Sequence, residues 1–303
     1  MPLTPGAKGH LAMLLFSALV AGSFSLGAMT ANDLAPVALN AIRFILATFV
    51  IGAVLVATGG FNRALLKAPW RYFIVGGLFA IYFVLMFEGL KTAPPVSAAA
   101  VFTLIPIMSG IAGYVLMRQV TTPRMALALA IGAVGALWVI FRADLAALLA
   151  FHVGKGEVIY FWGCVAHAFF TPMMRFLNRG ESALMFTFGT LSATALILTV
   201  YGAPELLAAD WANLPPLVWG TILYLAVLAS SVTIVLLQFA TLRLPSAKVM
   251  AYTYLTPTWV ILWEMALGHG APSGLVLGGI ALTCIALVLL LKDQDRVGKK
   301  PVA

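Results

Sequence analysis

The segment PPVSAAAVFTLIP, residues 94–106, has a counterpart in PSAKVMAYTYLTP, residues 245–257. Each begins and ends in proline, and the prolines stand 12 apart in both. Ala100 matches Ala251 and Leu104 matches Leu255, at an offset of 151 residues in a chain of 303. A segment repeated at half the chain length divides the protein into two equivalent halves, 1–150 and 151–303.

The surroundings of both segments set the class. Hydrophobic residues make up 62% of the chain and charged residues 9%, against roughly 25% charge in a soluble domain. Mean hydropathy is +1.04. Apolar runs repeatedly reach the 18 or more residues that a bilayer-spanning helix needs. The expected fold is therefore an all-α integral membrane protein. The net charge of +8 does not indicate a nucleic-acid partner, because Lys and Arg are scattered singly between apolar runs and read as topology signals. Cys164 and Cys284 both lie in apolar runs and form no metal-ligand spacing. The N-terminal stretch mimics a leader, with Lys8 and His10 ahead of apolar sequence. It is read as the first span because the repeat requires one there.

Apolar runs and breakers predict ten spans, near 10–30, 34–57, 71–90, 95–117, 124–141, 157–174, 183–201, 216–238, 246–267 and 273–291. With the N-terminus in the cytoplasm, fourteen Lys and Arg residues fall on the cytoplasmic side and only Lys91, Arg142 and Lys155 on the other. That asymmetry places both termini inside a cytoplasmic (inner) membrane. Five spans per half then make the second half start on the opposite face, which is an inverted-topology repeat. The paired proline segments occupy spans four and nine. Pro106 and Pro257 are expected near the middle of those spans, kinking them and freeing the carbonyls of Phe102 and Thr253. Freed groups at that depth must face protein or a water-filled cavity, so the two prolines are expected to serve as gates. Spans five and ten are almost without polar groups and read as outer helices. Gly274-x-x-x-Gly278 on span ten suits close helix approach, within the monomer or in a homodimer.

Ten spans as five plus five, the first span running into Asn32-Asp33, then ALNAIRFILATFV at residues 38–50, and the paired A-P-P…L-I-P and L-P-S-A…L-T-P segments resemble the drug/metabolite transporter superfamily, EamA type. Within it the chain resembles the YddG-type aromatic amino-acid exporters. The resemblance implies an alternating-access carrier with no cofactor. One departure stands out: family members often carry a glutamate about thirteen residues after the inner proline, where this chain has Gln119 and Gly270.

Ionisable groups inside a bilayer are costly and default to functional candidates. Arg43 occupies the place of the arginine in the family's A-x-R-F-like motif. It is read as a structural charge that clamps backbone carbonyls or a carboxylate, in preference to a substrate carboxylate. Glu88 and Glu264, near the outer ends of spans three and nine, are candidates for coupling or gating, with Glu88 also placed to pair Lys91. His167 lies near the middle of span six, and Lys248 is expected to snorkel. Aromatic and small polar residues at depth give the candidate substrate contacts: Phe79, Tyr82, Ser97, Phe102, Trp162, His167, Tyr252, Thr253 and Trp259. Ser230 and Ser231 add further hydrogen bonders. An apolar pocket with a few convergent polar groups suits a small amphipathic solute, and aromatic faces favour aromatic side chains.

No Walker A motif occurs, and no metalloprotease or nucleophile-elbow motif, so neither ATP hydrolysis nor membrane-enzyme chemistry is indicated. A pore would show a charged ring or a repeated filter. The reading is a carrier exporting small amphipathic metabolites, foremost aromatic or large apolar amino acids. A drug-like cation or another metabolite in the same fold is the alternative cargo, and a passive channel the alternative class. A fluorescent protein fused after residue 303 is expected to mature in the cytoplasm, while a phosphatase fused in the loop after Lys91 is expected to be active outside. The reverse pair of signals would overturn the orientation.

Overall fold

The computed structural model describes residues 5–62, 67–120, 122–141, 143–150, 153–271 and 273–292. Every regular element among them is helical. In chain order these are α1 (Pro5–Thr30), α2 (Pro36–Ala57), α3 (Trp70–Leu90), α4 (Pro95–Phe102), α5 (Ile105–Met117), α6 (Pro123–Ile140) and α7 (Leu145–Ala150). There follow α8 (Lys155–Phe176), α9 (Ala183–Tyr201), α10 (Ala203–Ala208), α11 (Pro216–Ala226), α12 (Thr233–Thr241), α13 (Ser246–Met250), α14 (Thr256–Ala266) and α15 (Gly274–Lys292). A π-helical turn, Val227–Val232, joins α11 to α12, and a 3-10 turn, Ala251–Leu255, joins α13 to α14.

Seven runs among the described residues are long and apolar enough to cross a membrane: Gly6–Thr30, Pro36–Ala57, Trp70–Leu90, Pro95–Met117, Pro123–Ile140, Ala183–Tyr201 and Pro216–Thr241. The other three expected spans fall on α8, on the interrupted α13–α14 run and on α15. Prolines open α2, α4, α6 and α11, where a missing N–H costs nothing. The hydroxyls of Thr122 and Ser182 accept from the backbone N–H groups of Met125 and Met185 and cap α6 and α9.

Contacts between the connections sort them to two ends of the bundle. At one end Arg71 meets Leu177 and Glu181, the Ser246 N–H donates to Gln119 Oε1, and Gly9 packs on Leu244. At the other, Gly89 packs on Gly156, Ser97 on Glu157, and Val37 on Gly202. Lys8, Lys67, Arg71, Arg118, Arg124, Arg175, Arg179, Arg243 and Lys248 belong to the first, basic end; Lys91 and Lys155 belong to the opposite one. Arg63, Arg142, Arg296, Lys299 and Lys300, which the charge count also used, lie outside the described residues.

The two proline segments differ from a simple kink. In the first, α4 stops at Phe102, the Thr103 and Leu104 N–H groups turn to the carbonyls of Ala100 and Val101 at 3.0 and 3.1 Å, and α5 starts anew with Pro106 as its second residue. In the second, the helix tightens to the 3-10 turn and α14 starts with Pro257 as its second residue. The prolines therefore begin second helices and do not bend one continuous helix. Steric pressure on the preceding turn ends the first helix, and in the second segment the Thr256 N–H turns to the Thr253 carbonyl that Pro257 cannot serve. Lys248 is also a correction: it is buried on α13 and does not snorkel.

Helices from before and after residue 150 pack against one another. α3 runs along α8 and α9, α2 along α9, and α1 along α12 and α14. α6 and α15 pair on the outside, where Gly135 and Gly279 bring the two backbones together. A Cβ added at Gly274 or Gly278 would meet nothing within 4 Å; this motif does not pack the monomer.

At the basic end Arg71 and Glu181 form a buried ion pair across the halves, 2.5 Å apart and 1% and 3% exposed. Arg71 also donates to the Leu177 carbonyl at 2.6 Å and the Lys67 carbonyl at 3.1 Å. Burial by itself would raise the Glu181 carboxyl. The Arg71 hydrogen bond, backbone N–H donation and the Arg71 charge outweigh it and hold the group below its usual range. The pair's contribution is thus complete above the ordinary carboxylate pKa and is lost as pH falls through the lower folded value. Glu181→Gln should cost about 3–5 kcal/mol at neutral pH, because it leaves the buried Arg71 without an opposite charge. Thermal unfolding in detergent checks this: the gap between wild type and variant should be wide at pH 7 and shrink toward pH 3.

Candidate functional site

A cavity lies between α1, α3, α4, α8 and the α11–α12 helix. Phe16, Val20 and Ser23 come from α1, and Phe79, Tyr82, Phe83 and Met86 from α3. Phe102 comes from the end of α4, His167 from α8, and Ala229, Thr233, Ile234 and Leu237 from the π-turn and α12. The open space is about 10 Å³, roughly what one water needs, so the rings close over the centre in this conformation. Its lining holds no Asp, Glu, Lys or Arg: the polar members are Ser23, Tyr82, His167 and Thr233.

The aromatic rings interlock. Phe79 stacks on Phe170 with centroids 4.4 Å apart and planes at 12°. Tyr82 meets His167 edge-on at 4.4 Å, and Phe102 meets it at 5.8 Å. The hydroxyls of Tyr82 and Tyr160 are hydrogen-bonded at 3.0 Å. Four residues singled out from the sequence, Phe79, Tyr82, Phe102 and His167, therefore converge here. Phe102 reaches the centre because α4 ends on it, immediately before the proline-enforced break.

Behind Phe83 sits Arg43, fully buried. Its Nε donates to Ser230 Oγ at 2.7 Å, Nη2 to the Ala229 carbonyl at 3.0 Å and Nη1 to Asn40 Oδ1 at 3.3 Å. The guanidinium lies 3.8 Å from the Phe83 ring centroid, a cation–π contact in a dry place. Both α11–α12 acceptors belong to the π-turn, whose altered bonding leaves a carbonyl to be shared. The geometry is that of a clamp between α2 and the π-turn, with no carboxylate in it. Ser231 is also spent on the turn, donating to the Ala226 carbonyl at 2.7 Å.

The remaining sequence-derived candidates lie elsewhere. Trp162 is 61% exposed; five residues from His167, it sits about 140° around α8 and faces away from the cavity. Ser97 donates to Glu157 Oε1 at 2.8 Å near the far end. Tyr252 is hydrogen-bonded to His10 Nδ1 at 2.9 Å at the basic end, and Trp259 Nε1 donates to Ser17 Oγ at 3.2 Å. These two therefore tie the α13–α14 run to α1. Thr253 is buried in the 3-10 turn. Glu88 pairs with Lys91 at 2.8 Å with both side chains partly exposed, which is a surface pair. Glu264 Oε2 pairs with His269 at 2.9 Å. Pro106 and Pro257 start α5 and α14 and do not line the cavity.

Sequence reasoning missed Phe16, Val20 and Ser23, although their spacing of four and three marks one face of α1. It also missed Asn40, Phe170, Thr233 and the buried Glu157. Apolar residues in an apolar chain give no contrast, which is why the α12 wall was not legible. Among the described residues no group of three or more His, Cys, Asp or Glu could hold a metal ion.

Interlocked apolar helices, seven of them among the described residues long enough to cross a membrane, around a small cavity of aromatic and aliphatic side chains have the build of a multi-pass membrane protein. The chain belongs to the EamA-like transporter family, whose model matches residues 7–141 and 154–292, and so to the drug/metabolite transporter superfamily. It is 24% identical over 273 residues to the uncharacterized transporter YyaM of Bacillus subtilis, covering 89% of this chain and 90% of that one. It is 35% identical over 105 residues to the aromatic amino acid exporter YddG of Ancylobacter novellus, a third of each chain. A solved crystal structure superposes with a TM-score of 0.72 at 21% identity, over 97% of this chain and 98% of that one, a likeness of fold.

Arg43→Lys is expected to lower both thermal stability in detergent and transport. An ammonium cannot reach Ser230 Oγ and the Ala229 carbonyl in fixed geometry as a guanidinium fork does. The loss expected is about 1.5–3 kcal/mol per charged hydrogen bond not remade. An unchanged melting temperature would remove the clamp as a structural element.

Proposed function

We propose that this protein is a ten-span carrier of two inverted five-helix halves that exports small amphipathic metabolites, foremost aromatic or large apolar amino acids, across the cytoplasmic membrane. The halves would be 1–150 and 151–303, with both termini in the cytoplasm. The uncharged aromatic cavity, built from helices of both halves, carries the reading. A ring entering it replaces ring–ring contacts already present, and no fixed charge repels an apolar body. The basic end of the bundle supports the orientation, since such residues face the cytoplasm. The two stretches matched by the family model support the two halves. The partial match to an aromatic amino acid exporter supports the cargo.

Alternating access would use the two helix breaks. α4 and α5 are separate rods, as are α13 and α14, so either end can swing without unwinding a continuous helix. Tyr252–His10 and Trp259–Ser17 would hold α1 to the second half at one stage of the cycle. A cationic drug is disfavoured by a lining with no carboxylate. A phosphate-bearing cargo is disfavoured because the one deep arginine is already committed to the π-turn.

Purified protein in liposomes is expected to take up labelled phenylalanine saturably, with counterflow against internal phenylalanine and competition by tryptophan and leucine. Uptake that neither saturates nor shows counterflow would indicate a channel. Uptake inhibited by a cationic dye and not by tryptophan would move the cargo to drug-like cations.

A further inference from the structure

His167 carries an unmet demand. The residue is 2% exposed, and its Nδ1 is buried with no hydrogen-bond partner. Buried polar atoms nearly always have one, and each exception asks for an explanation. The ring is packed by Tyr82 at 4.4 Å, Phe170 at 5.3 Å, Phe102 at 5.8 Å and Phe79 at 6.3 Å, and it forms part of the cavity wall. The nearby Tyr82 hydroxyl is engaged with Tyr160. No side chain of the cage answers Nδ1.

The ligand group that would answer it is constrained by what else lines the cavity. With no fixed charge among the lining residues, an ammonium or a carboxylate brought against His167 would lose its hydration for a single neutral hydrogen bond. The part of an amino acid that belongs in the cage is its side chain. Among aromatic side chains, a neutral ring N–H brings a donor on an otherwise apolar plane, and an indole is such a ring. A site built to accept that N–H also discriminates against a ring of the same shape without it, because the acceptor is then left unpaired.

We infer that His167 Nδ1 accepts a hydrogen bond from a ring N–H of the cargo and so makes the carrier prefer indoles; this rests on the aromatic amino-acid reading above. The imidazole proton then sits on Nε2. The cavity widens to admit the ring when the halves part, and the stacked Phe79 and Phe170 give way to a stacked ligand.

The test is competition against labelled phenylalanine uptake in liposomes by two isosteres: tryptophan, and benzothienylalanine, in which sulfur replaces the indole N–H. Wild type is expected to be inhibited about tenfold more strongly by tryptophan, the effect of one buried acceptor met or unmet. In His167→Leu the two should compete equally. In His167→Asn, whose carboxamide oxygen reaches toward the place of Nδ1, the preference should return. Equal competition in wild type, or a preference that survives His167→Leu, overturns the assignment while leaving the carrier reading standing. Absence of any saturable phenylalanine uptake in folded wild type would remove both. Should the variants fold without transporting, their thermal stabilisation by tryptophan against benzothienylalanine gives the same comparison. Loss of the difference in His167→Leu supports the assignment, and its persistence overturns it.

Discussion

In hydrocarbon a peptide group has no water to turn to, and each unpaired N–H or C=O costs several kcal/mol. Three departures from regular helix among the described residues draw on other hydrogen bonds. Between α4 and α5 the chain shifts to i−3 bonds, and between α13 and α14 it makes a full 3-10 turn. Between α11 and α12 it widens to a π-turn, and there the answer comes from another element: Arg43 of α2 donates to the Ala229 carbonyl and the Ser230 hydroxyl. The irregular backbone is also where the cavity lies. Phe102 ends α4, and Ala229 is part of the π-turn. Two of the three breaks thus border the cavity.

The same requirement explains why the centre is aromatic. A wall of fixed charges would have to be paired or hydrated, and the buried charges present are already committed. Arg71 is spent on Glu181 and on carbonyls at the basic end, and Arg43 on the π-turn. Rings supply contact area without that demand. His167 and the hydroxyls of Ser23, Tyr82 and Thr233 remain as the polar features of the wall.

How far the chain could be read depended on contrast. The paired proline segments were visible because proline is rare enough inside spans to register at an offset of 151 residues. Arg43 was visible as a charge in an apolar run, expected to clamp backbone carbonyls or a carboxylate, and the structure gives it one carbonyl, a hydroxyl and an amide oxygen. Phe79, Tyr82, Phe102 and His167 were legible as aromatic or polar residues at depth. Trp162 shared that signal and faces outward, because depth along a helix says nothing about azimuth. Tyr252 and Trp259 reach the right helix pair yet spend their polar atoms on α1. Glu157 was not singled out from the sequence, and the structure buries it against Ser97.

The sequence by itself determined a polytopic helical membrane protein with a basic bias to one set of loops, two related proline-bounded segments and an arginine at depth. These are one-dimensional quantities: run length, spacing and charge order. Only the tertiary structure decided which face of each helix looks inward, that the prolines start new helices, and that α1 and α12 complete a wall closed by rings from α3 and α8. The physical reason is that lipid and protein interior are nearly equal in polarity. A helix that is apolar all round has no polar face to tell inside from outside, so its rotation is settled by packing and hydrogen bonds with its neighbours.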